Sequence, residues 1–338
     1  MFDCHMHYSS DLDPGRFLRV IETCGYDAVA LQCICKGNTR VTRTDAFAFR
    51  DLCAARLPSC EVRIFGGMDP AIYRAEQPDL IREGLISCLR ELLTAGCDGI
   101  KLLEGKPNIR KMFRVPDFDG EVWAGFWEEA ERRQVPVVMH VNDPEEFWTG
   151  SPDASPEEIA FRKRSGWMYD ETYPNNEDQY GQMERVLERH PRLKILFPHF
   201  FFMSRQLPRL GDLLTRFPGV MTDLTPGVEL FLNLSDQIEE ARRFFERFQD
   251  RICYGTDIGS RQVILEEDAL LNMEETASRV RLVKGFLFSE RPYILTPDAY
   301  YRGPGEKQMQ PLLLTETQKQ KILDGNFRRF ISDPVGPV

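Results

Sequence analysis

The chain begins with Met1-Phe2-Asp3-Cys4-His5-Met6-His7, a strand-like stretch in which one residue separates two histidines. Successive side chains of a strand point to opposite faces, so we predict that Asp3, His5 and His7 share one face. Phe2 and Cys4 are predicted on the other face. Two imidazoles on one face can bind one metal ion, whereas the alternative is a short polar edge strand with incidental histidines.

The composition of the 338-residue chain is that of a soluble globular protein, with 42% hydrophobic and 28% charged residues. This length fits either two domains or one large α/β barrel. The formal net charge of −10 argues against nucleic acid as a partner. No apolar run approaches about 18 residues, so we expect no membrane partner either.

Nine cysteines are scattered along the chain without a C-x-x-C pair. An odd number of unpatterned cysteines in a chain of this length argues against a disulfide framework and for a reducing compartment. The amino terminus lacks a basic segment followed by an apolar run, so no signal peptide is predicted. We therefore expect a cytoplasmic protein.

Apolar runs of strand length alternate with helical segments along most of the chain. Eight strands are predicted, the first at the amino terminus and the others at 27–34, 62–68, 98–103, 135–141, 193–199, 220–225 and 251–257. Eight alternating units predict an α/β fold with a closed parallel sheet, the (β/α)8 or TIM barrel. We expect a single barrel domain over residues 1–338, with its core at about 1–288.

Two segments interrupt the alternation. Residues 142–174 form a long polar insertion after the fifth predicted strand, and residues 289–309 have a turn-prone composition that predicts irregular structure. A C-terminal helical extension follows. Thr315 and Gln318 form a capping box, which predicts the start of a helix that runs to Ile331.

Four histidines and one aspartate lie at the ends of predicted strands. They are His5, His7, His140, His199 and Asp257. All strands of such a barrel end on the same face, so these side chains are predicted to converge there. Imidazole and carboxylate ligands suit Zn²⁺, Mn²⁺ or Fe²⁺, and an incomplete protein shell leaves a position for water.

Several motifs carry a family resemblance. They are His5-Met-His7, Pro136-x-x-Met-His140, Leu193-Lys-Ile-Leu-Phe-Pro-His199, Tyr254-Gly-Thr-Asp257 and Ile322-Leu-Asp-Gly-Asn326. Together they resemble the amidohydrolase superfamily, and more narrowly its amidohydrolase-related branch, which includes aminocarboxymuconate-semialdehyde decarboxylase and γ-resorcylate decarboxylase. The resemblance covers nearly the whole chain. It implies a metal-containing (β/α)8 barrel that performs hydrolysis, decarboxylation, hydration or lactone opening.

The resemblance also implies roles for single residues. The metal ligands are His5, His7, His140 and Asp257, and one Zn²⁺ is expected, with Mn²⁺ or Fe²⁺ as alternatives. His199 is the catalytic histidine that polarises water or substrate. A divalent ion lowers the pKa of bound water from 15.7 to roughly 7, and the Asp257 carboxylate then takes the proton. The alternative is a structural metal or a set of buried core histidines.

Three further polar residues have more than one interpretation. Lys101, on the fourth predicted strand, is a bridging ligand of a two-metal site, a charge near the ligands or substrate, or a buried lysine paired with a carboxylate. Asp223, on the seventh, positions a ligand histidine, faces the substrate or caps the next helix. His190 lies at a helix end, where a cation favours the helix dipole, so we expect it to be structural.

Cationic residues in the loops after strands two and six are candidates for substrate binding. They are Lys36, Arg40, Arg43 and Arg205. An arginine fork matches a carboxylate, so we expect a small anionic substrate, although each cation alone is equally typical of a solvated surface. Trp148 and Trp167 lie in the insertion near the same face, where they predict a lid or a dimer contact.

These observations favour a metal-dependent hydrolase that acts on a small, carboxylate-bearing substrate through a metal-activated water. The alternative at the same site is a non-oxidative decarboxylase or hydratase of a small aromatic or unsaturated acid. A catalytically silent barrel is a third hypothesis, which the complete set of ligands disfavours. A homodimer is expected.

Overall fold

The computed structural model of the protein describes residues 1–9, 12–34, 41–149, 156–261, 264, 270–303 and 305–336, without the side chains of residues 41–44, 149, 158 and 228. Eight parallel strands form one sheet in which each strand pairs with its neighbours in sequence. They are β1 (Phe2–Met6), β2 (Ala28–Gln32), β3 (Glu61–Gly67), β4 (Gly99–Gly105), β5 (Val137–Val141), β6 (Ile195–Phe197), β7 (Val220–Asp223) and β8 (Ile252–Cys253).

The first strand and the segment after the last strand close this sheet into a barrel. Met6 and Ile258 form a parallel bridge. The His7 amide donates to the Ile258 carbonyl at 2.7 Å, and the Asp257 amide donates to the His5 carbonyl at 2.8 Å. The predicted (β/α)8 barrel is therefore confirmed.

Helices cover the outside of the barrel and the connections between strands. They are α1 (Pro14–Cys24), α2 (Val41–Arg56), α3 (Pro78–Thr94), α4 (Pro107–Phe113), α5 (Glu121–Arg132), α6 (Glu146–Thr149), α7 (Pro156–Arg164), α8 (Asn176–Arg189), α9 (Leu207–Arg216), α10 (Val228–Asp236), α11 (Ile238–Arg247), α12 (Met273–Phe288), α13 (Glu316–Gln320) and α14 (Asn326–Ser332). Short 3₁₀ segments span Pro70–Arg74 and His199–Phe202, and a π turn at Lys321–Gly325 joins the last two helices. Within the described parts of the chain, no helix is long and apolar enough to cross a membrane.

The two ends of α1 show how local sequence sets these bounds. The Asp13 carboxylate caps the helix by accepting from the Gly15 amide at 2.8 Å, and Pro14 occupies the first turn, where no amide donor is needed. Gly25 ends the helix with φ of 67°, a left-handed conformation that favours glycine.

The segment between the barrel and the last helices is more regular than its composition predicts. Residues Tyr293–Leu295 (β9) pair with Lys307–Met309 (β10) as a small antiparallel sheet. The predicted capping box is confirmed, because the Thr315 hydroxyl accepts from the Gln318 amide and the Gln318 side chain accepts from the Thr315 amide. The stretch that we interpreted as an insertion after β5 contains α6 and α7.

The barrel interior is filled by a compact apolar cluster that the C-terminal helix completes. Its members are Phe2, Cys4, Ala28, Ala30, Phe65, Val138, Leu196, Met221, Cys253, Phe327 and Phe330. The Phe327 ring lies 4.8 Å from the Phe2 ring and 5.8 Å from the Phe65 ring, measured between centroids. A separate, larger cluster packs the outer strand residues against the helices. Helix α14 therefore plugs the barrel end opposite to the strand termini that carry the histidines.

The simple alternation predicted for the first strand is wrong at its centre. The pairing of β1 with β2 shifts register between Asp3 and Met6. Cys4 Sγ lies 3.8 Å and His5 Nδ1 3.0 Å from the same oxygen of Asp223, so two consecutive side chains reach one carboxylate. A bulge of this kind bends the strand and redirects a side chain. The Asp3 carboxylate holds it by accepting from the His5 amide at 3.1 Å.

Replacing Phe327 with alanine tests the role of the C-terminal plug. Phe327 is fully buried against aromatic rings of two strands, so Phe327→Ala is expected to reduce the free energy of unfolding by about 3–5 kcal/mol. Urea denaturation followed by circular dichroism measures the change. Leu80→Ala is the control, because Leu80 is 52% exposed and its loss is expected to cost less than about 0.5 kcal/mol. Equal effects of the two variants would contradict the plug.

Candidate active site

A cavity of about 600 Å³ opens where the barrel strands end. The five residues predicted to converge at this face all line it, namely His5, His7, His140, His199 and Asp257. The wall also includes residues from α6, α7, α10 and α12 and from the segment between β9 and β10.

Three of the five residues form a tight cluster. The ligand atoms of His5, His7 and Asp257 all lie within 4.8 Å of one another. Asp257 Oδ1 is 3.1 Å from His7 Nε2 and 3.9 Å from His5 Nε2. All three side chains are largely buried, so the cluster faces the cavity and not bulk solvent.

Hydrogen bonds fix the orientation of both histidines. His7 Nδ1 lies 2.6 Å from the Gln32 carbonyl, and His5 Nδ1 lies 3.0 Å from the Asp223 carboxylate. Both partners are acceptors, so each Nδ1 carries the proton and each Nε2 presents a lone pair. His7 Nε2 and Asp257 Oδ1 are then two acceptors in contact, an arrangement that requires a cation or an extra proton between them. The donor set therefore fits a divalent metal ion.

The Asp223 carboxylate connects three strands beneath this cluster. Its Oδ2 accepts from His5, while its Oδ1 accepts from the His199 amide at 2.9 Å and the Thr225 amide at 3.0 Å. Burial raises the pKa of Asp223 above its usual value. The Asp223 carboxylate therefore lies where it orients the His5 ring. It also holds the backbone that carries His199.

His199 begins a strained turn. Residues 199–202 have φ of 56°, 57°, 56° and 53°, a left-handed run without glycine. This conformation costs roughly 1–2 kcal/mol per residue, and such strain concentrates at functional sites. His199 Nδ1 donates to the Thr225 carbonyl at 3.2 Å, which leaves Nε2 free to accept. Burial, together with the nearby His140, lowers the pKa of His199 to about 3.

His140 lies beside the cluster in a buried network of its own. Its Nε2 is 3.3 Å from Asp143 Oδ1. The Asp143 carboxylate also accepts from Lys106 Nζ at 2.6 and 2.7 Å and from the Tyr169 hydroxyl at 2.6 Å. Burial opposes ionisation of Asp143, but the Lys106 charge and the His140 contact outweigh it and lower its pKa to about 2. Because Asp143 accepts from Nε2 of His140, that nitrogen carries the ring proton and Nδ1 presents a lone pair.

Lys101 reaches the same cluster from β4. Its ammonium group is buried, and Nζ lies 3.2 Å from His5 Nε2. Burial lowers the pKa of Lys101 to about 8, and the charges of Asp223 and Asp257 oppose that shift. The side chain is thus close enough to act on the ligands or on a bound substrate.

Asp257 has a second partner that sequence reasoning missed. Arg279 on α12 donates to Asp257 Oδ2 at 3.0 Å and to the Ser260 hydroxyl at 3.1 Å. Burial would raise the pKa of Asp257, but the His7 hydrogen bond and the Arg279 charge outweigh it and hold the pKa well below its usual range. No sequence motif singles out Arg279, because it reaches Asp257 only through the packing of α12 on the barrel.

The predicted substrate-binding cations have different outcomes. Arg205 lines the cavity, where its Nε donates to Asn233 Oδ1 at 2.8 Å. Lys36 and Arg40 lie outside the described residues, as does the side chain of Arg43. Besides Arg205, the described cations that line the cavity come from other segments, namely Lys101, Lys106, Arg162, Arg261, Arg279, Arg302 and Lys307.

Trp167 lies at the cavity, whereas His190 lies outside it. Trp167 lines the cavity with Lys106 Nζ 4.7 Å from its ring centroid. Trp148 packs on Tyr169, with ring centroids 4.6 Å apart. His190 follows α8 outside the cavity and lies 3.4 Å from the Glu131 carboxylate.

The sequence profile of the amidohydrolase family matches residues 2–331. The chain belongs to the amidohydrolase family. A search of curated proteins finds none that matches this chain.

Solved structures show how far the similarity of this amidohydrolase extends in three dimensions. An amidohydrolase II is 13% identical, with 98% of this chain and 99% of that chain covered and a TM-score of 0.54. Two proteins whose names propose a 2-pyrone-4,6-dicarboxylic acid hydrolase have TM-scores of 0.51. The one from Acinetobacter baumannii is 11% identical and covers 98% of both chains. The one from Pseudomonas putida is 14% identical, with 98% of this chain and 96% of that chain covered. At these identities the similarity establishes the shared fold alone.

The ion pair between Lys106 and Asp143 generates a stability prediction. Both side chains are buried, so Lys106→Met leaves an unpaired carboxylate and is expected to cost about 3–5 kcal/mol in unfolding free energy. Adding Asp143→Asn removes that charge, so the double variant is expected to be more stable than Lys106→Met alone. Denaturant titration measures both.

Lys319→Met is the matched control for this pair. Lys319 pairs with Glu316 at the surface, where the loss of an ion pair is expected to cost less than about 1 kcal/mol. A Lys106→Met variant that is no less stable than Lys319→Met would contradict the buried network.

Proposed function

We propose that the protein is a metal-dependent hydrolase that acts on a small, carboxylate-bearing substrate. The observation that carries this proposal is the cluster of His5, His7 and Asp257, whose ligand atoms lie within 4.8 Å of one another at the base of a 600 Å³ cavity. Membership of the amidohydrolase family supports hydrolysis as the reaction class.

His5 and His7 through Nε2 and Asp257 through Oδ1 would hold the metal, with His140 as a further ligand through Nδ1. We propose a single Zn²⁺, for which this donor set is typical, with Mn²⁺ or Fe²⁺ as alternatives. When bound, such an ion would lower the pKa of a coordinated water from 15.7 to roughly 7 and so would supply the nucleophile at neutral pH.

The remaining chemistry belongs to side chains of this protein. Asp257 is an ionised carboxylate held from one side by Arg279, so it can accept a proton from water and pass it to the leaving group. Neutral His199 offers Nε2 as an acceptor, which orients a water molecule or the substrate. The Lys101 ammonium group lies next to His5 and stabilises negative charge that develops in the transition state.

The charge of the cavity supports an anionic substrate. Among the described residues, eight lysine and arginine side chains line it, against six carboxylates. One of those six, Glu229, is less acidic than usual, because burial and the neighbouring Glu146 raise its pKa to about 8. The Acinetobacter baumannii relative was crystallised with citric acid bound, and its name is that of a dicarboxylic acid hydrolase. Both facts are consistent with carboxylate recognition in this fold.

Within the family, the resemblance to the aminocarboxymuconate-semialdehyde decarboxylase branch supports a second candidate at the same site. Non-oxidative decarboxylation or hydration of a small unsaturated acid would use the same ligands and the same acceptor groups. The product distinguishes the two reactions, because decarboxylation releases carbon dioxide whereas hydrolysis consumes water and keeps every carboxylate.

Metal content is the direct test of the ligand set. The purified protein is expected to hold about one divalent ion per chain after growth and dialysis with Zn²⁺ or Mn²⁺. His7→Ala is expected to lose most of it, because the cluster then keeps two of its three ligand atoms. Plasma mass spectrometry against protein concentration gives the ratio.

His190→Ala is the matched control, since His190 follows α8 outside the cavity. It is expected to keep the full metal content. A wild-type protein without metal, or equal metal in His7→Ala and wild type, would overturn the proposed centre.

Substrate class is tested with a screen of paired compounds. The metal-loaded protein is expected to turn over members of a carboxylic acid library and to leave their neutral methyl esters or amides unchanged, because the cavity cations hold a negative charge. Mass spectrometry of the products separates hydrolysis from loss of carbon dioxide. Turnover of the neutral members alone would contradict an anionic substrate.

His199→Ala tests the catalytic role of this imidazole with any substrate that the screen finds. It is expected to retain metal and to lose turnover by at least about 10²-fold, the contribution typical of a positioned acid–base group. Loss of metal together with activity would identify His199 as a ligand.

A further inference from the structure

Arg261 lies four residues after Asp257, on the segment that leaves β8, and lines the cavity wall. Its side chain is only 11% exposed, although it carries a full charge and five N–H donors. A buried guanidinium normally uses these donors, because leaving them unpaired costs free energy.

In the described part of the chain, Arg261 has no hydrogen-bond acceptor. Its ion-pair partner is Glu275, and the two are 3.7 Å apart. The same Glu275 oxygen accepts from Arg279 Nε, and Arg279 Nη1 donates to Asp257. One carboxylate therefore serves two guanidinium groups, and burial and the Arg279 charge lower the pKa of Arg261. Among the described residues, the Arg261 guanidinium therefore shares its one carboxylate partner with Arg279.

Aromatic rings hold this guanidinium in place. Its central carbon lies 5.1 Å from the Phe161 ring centroid and 5.4 Å from that of Tyr300. Phe161 belongs to α7, and Tyr300 to the segment between β9 and β10, so two separate parts of the chain position Arg261. Cation–π contacts restrain a guanidinium without using its N–H groups. The donors remain available to a ligand in the cavity.

We propose that Arg261 anchors a carboxylate of the substrate at the cavity wall, apart from the bond that reacts at the cluster of His5, His7 and Asp257. The planar fork matches two oxygens of one carboxylate. Arg279 and Glu275 separate the anchor from Asp257, so the anchored group is a substituent of the substrate. This inference rests on the proposed function for the identity of the cavity as the substrate site.

Binding of a simple aromatic acid to the full-length protein as purified tests the anchor. The probe is 4-fluorobenzoate, followed by ¹⁹F NMR, with 4-fluorobenzamide as its neutral counterpart. Arg261→Met is expected to raise the Kd of the benzoate at least about tenfold, because it removes the charge-assisted hydrogen bonds, and to leave the benzamide within about twofold. Arg261→Lys is expected to give an intermediate loss, since it keeps the charge without the fork.

Lys319→Met is the matched control. Lys319 is not part of the cavity lining, and its ammonium group is paired with Glu316 at 2.7 Å, so its removal is expected to change the Kd by less than about twofold. Thermal unfolding followed by circular dichroism shows that each variant is folded.

Three results would overturn the anchor: an unchanged benzoate Kd in Arg261→Met, an equal loss of benzoate affinity in Lys319→Met, or an equal loss of benzamide affinity in Arg261→Met. Arg261-dependent binding in a protein that turns over no carboxylic acid would leave the anchor intact and contradict the proposed hydrolase. Turnover of acids with the same KM in Arg261→Met would contradict the anchor and leave the hydrolase intact.

Discussion

The backbone hydrogen bonds between the first strand and the residues after β8 are the contacts on which the site depends. They join the Asp257 amide to the His5 carbonyl and the His7 amide to the Ile258 carbonyl. These bonds close the barrel, and the same bonds place the Asp257 carboxylate against both imidazoles. The fold and the candidate metal centre thus share one set of interactions, which explains how residues separated by some 250 positions in sequence become neighbours.

Buried polar groups around this seam are held by partners that the barrel supplies. Asp223 accepts from His5 and from the backbone of His199, and Asp143 accepts from Lys106, Tyr169 and His140. Each carboxylate would be costly to bury alone, and each orients a histidine. The left-handed turn after His199 adds strain that the surrounding contacts must offset. These hydrogen bonds orient the histidines in the absence of any ligand.

Much of the fold could be predicted because strand-length apolar runs and capped helices are local signals. The convergence of His5, His7 and Asp257 followed from the rule that parallel strands end on one face. The bulge in β1 could not be predicted, since the shift depends on the Asp3 carboxylate and on pairing with β2. The left-handed run at 199–202 contains no glycine to announce it. Arg261 lies in a loop and becomes distinctive only when Phe161 and Tyr300 pack against it.

Anomalous diffraction from crystals grown with Zn²⁺ is the most direct test of the central claim. A single strong peak is expected at the zinc edge, about 2.0–2.2 Å from His5 Nε2, His7 Nε2 and Asp257 Oδ1. A difference map from data below the edge would identify the ion as zinc and not an adventitious scatterer. A protein that shows no peak there, or binds zinc only at surface residues away from these three side chains, would contradict the account.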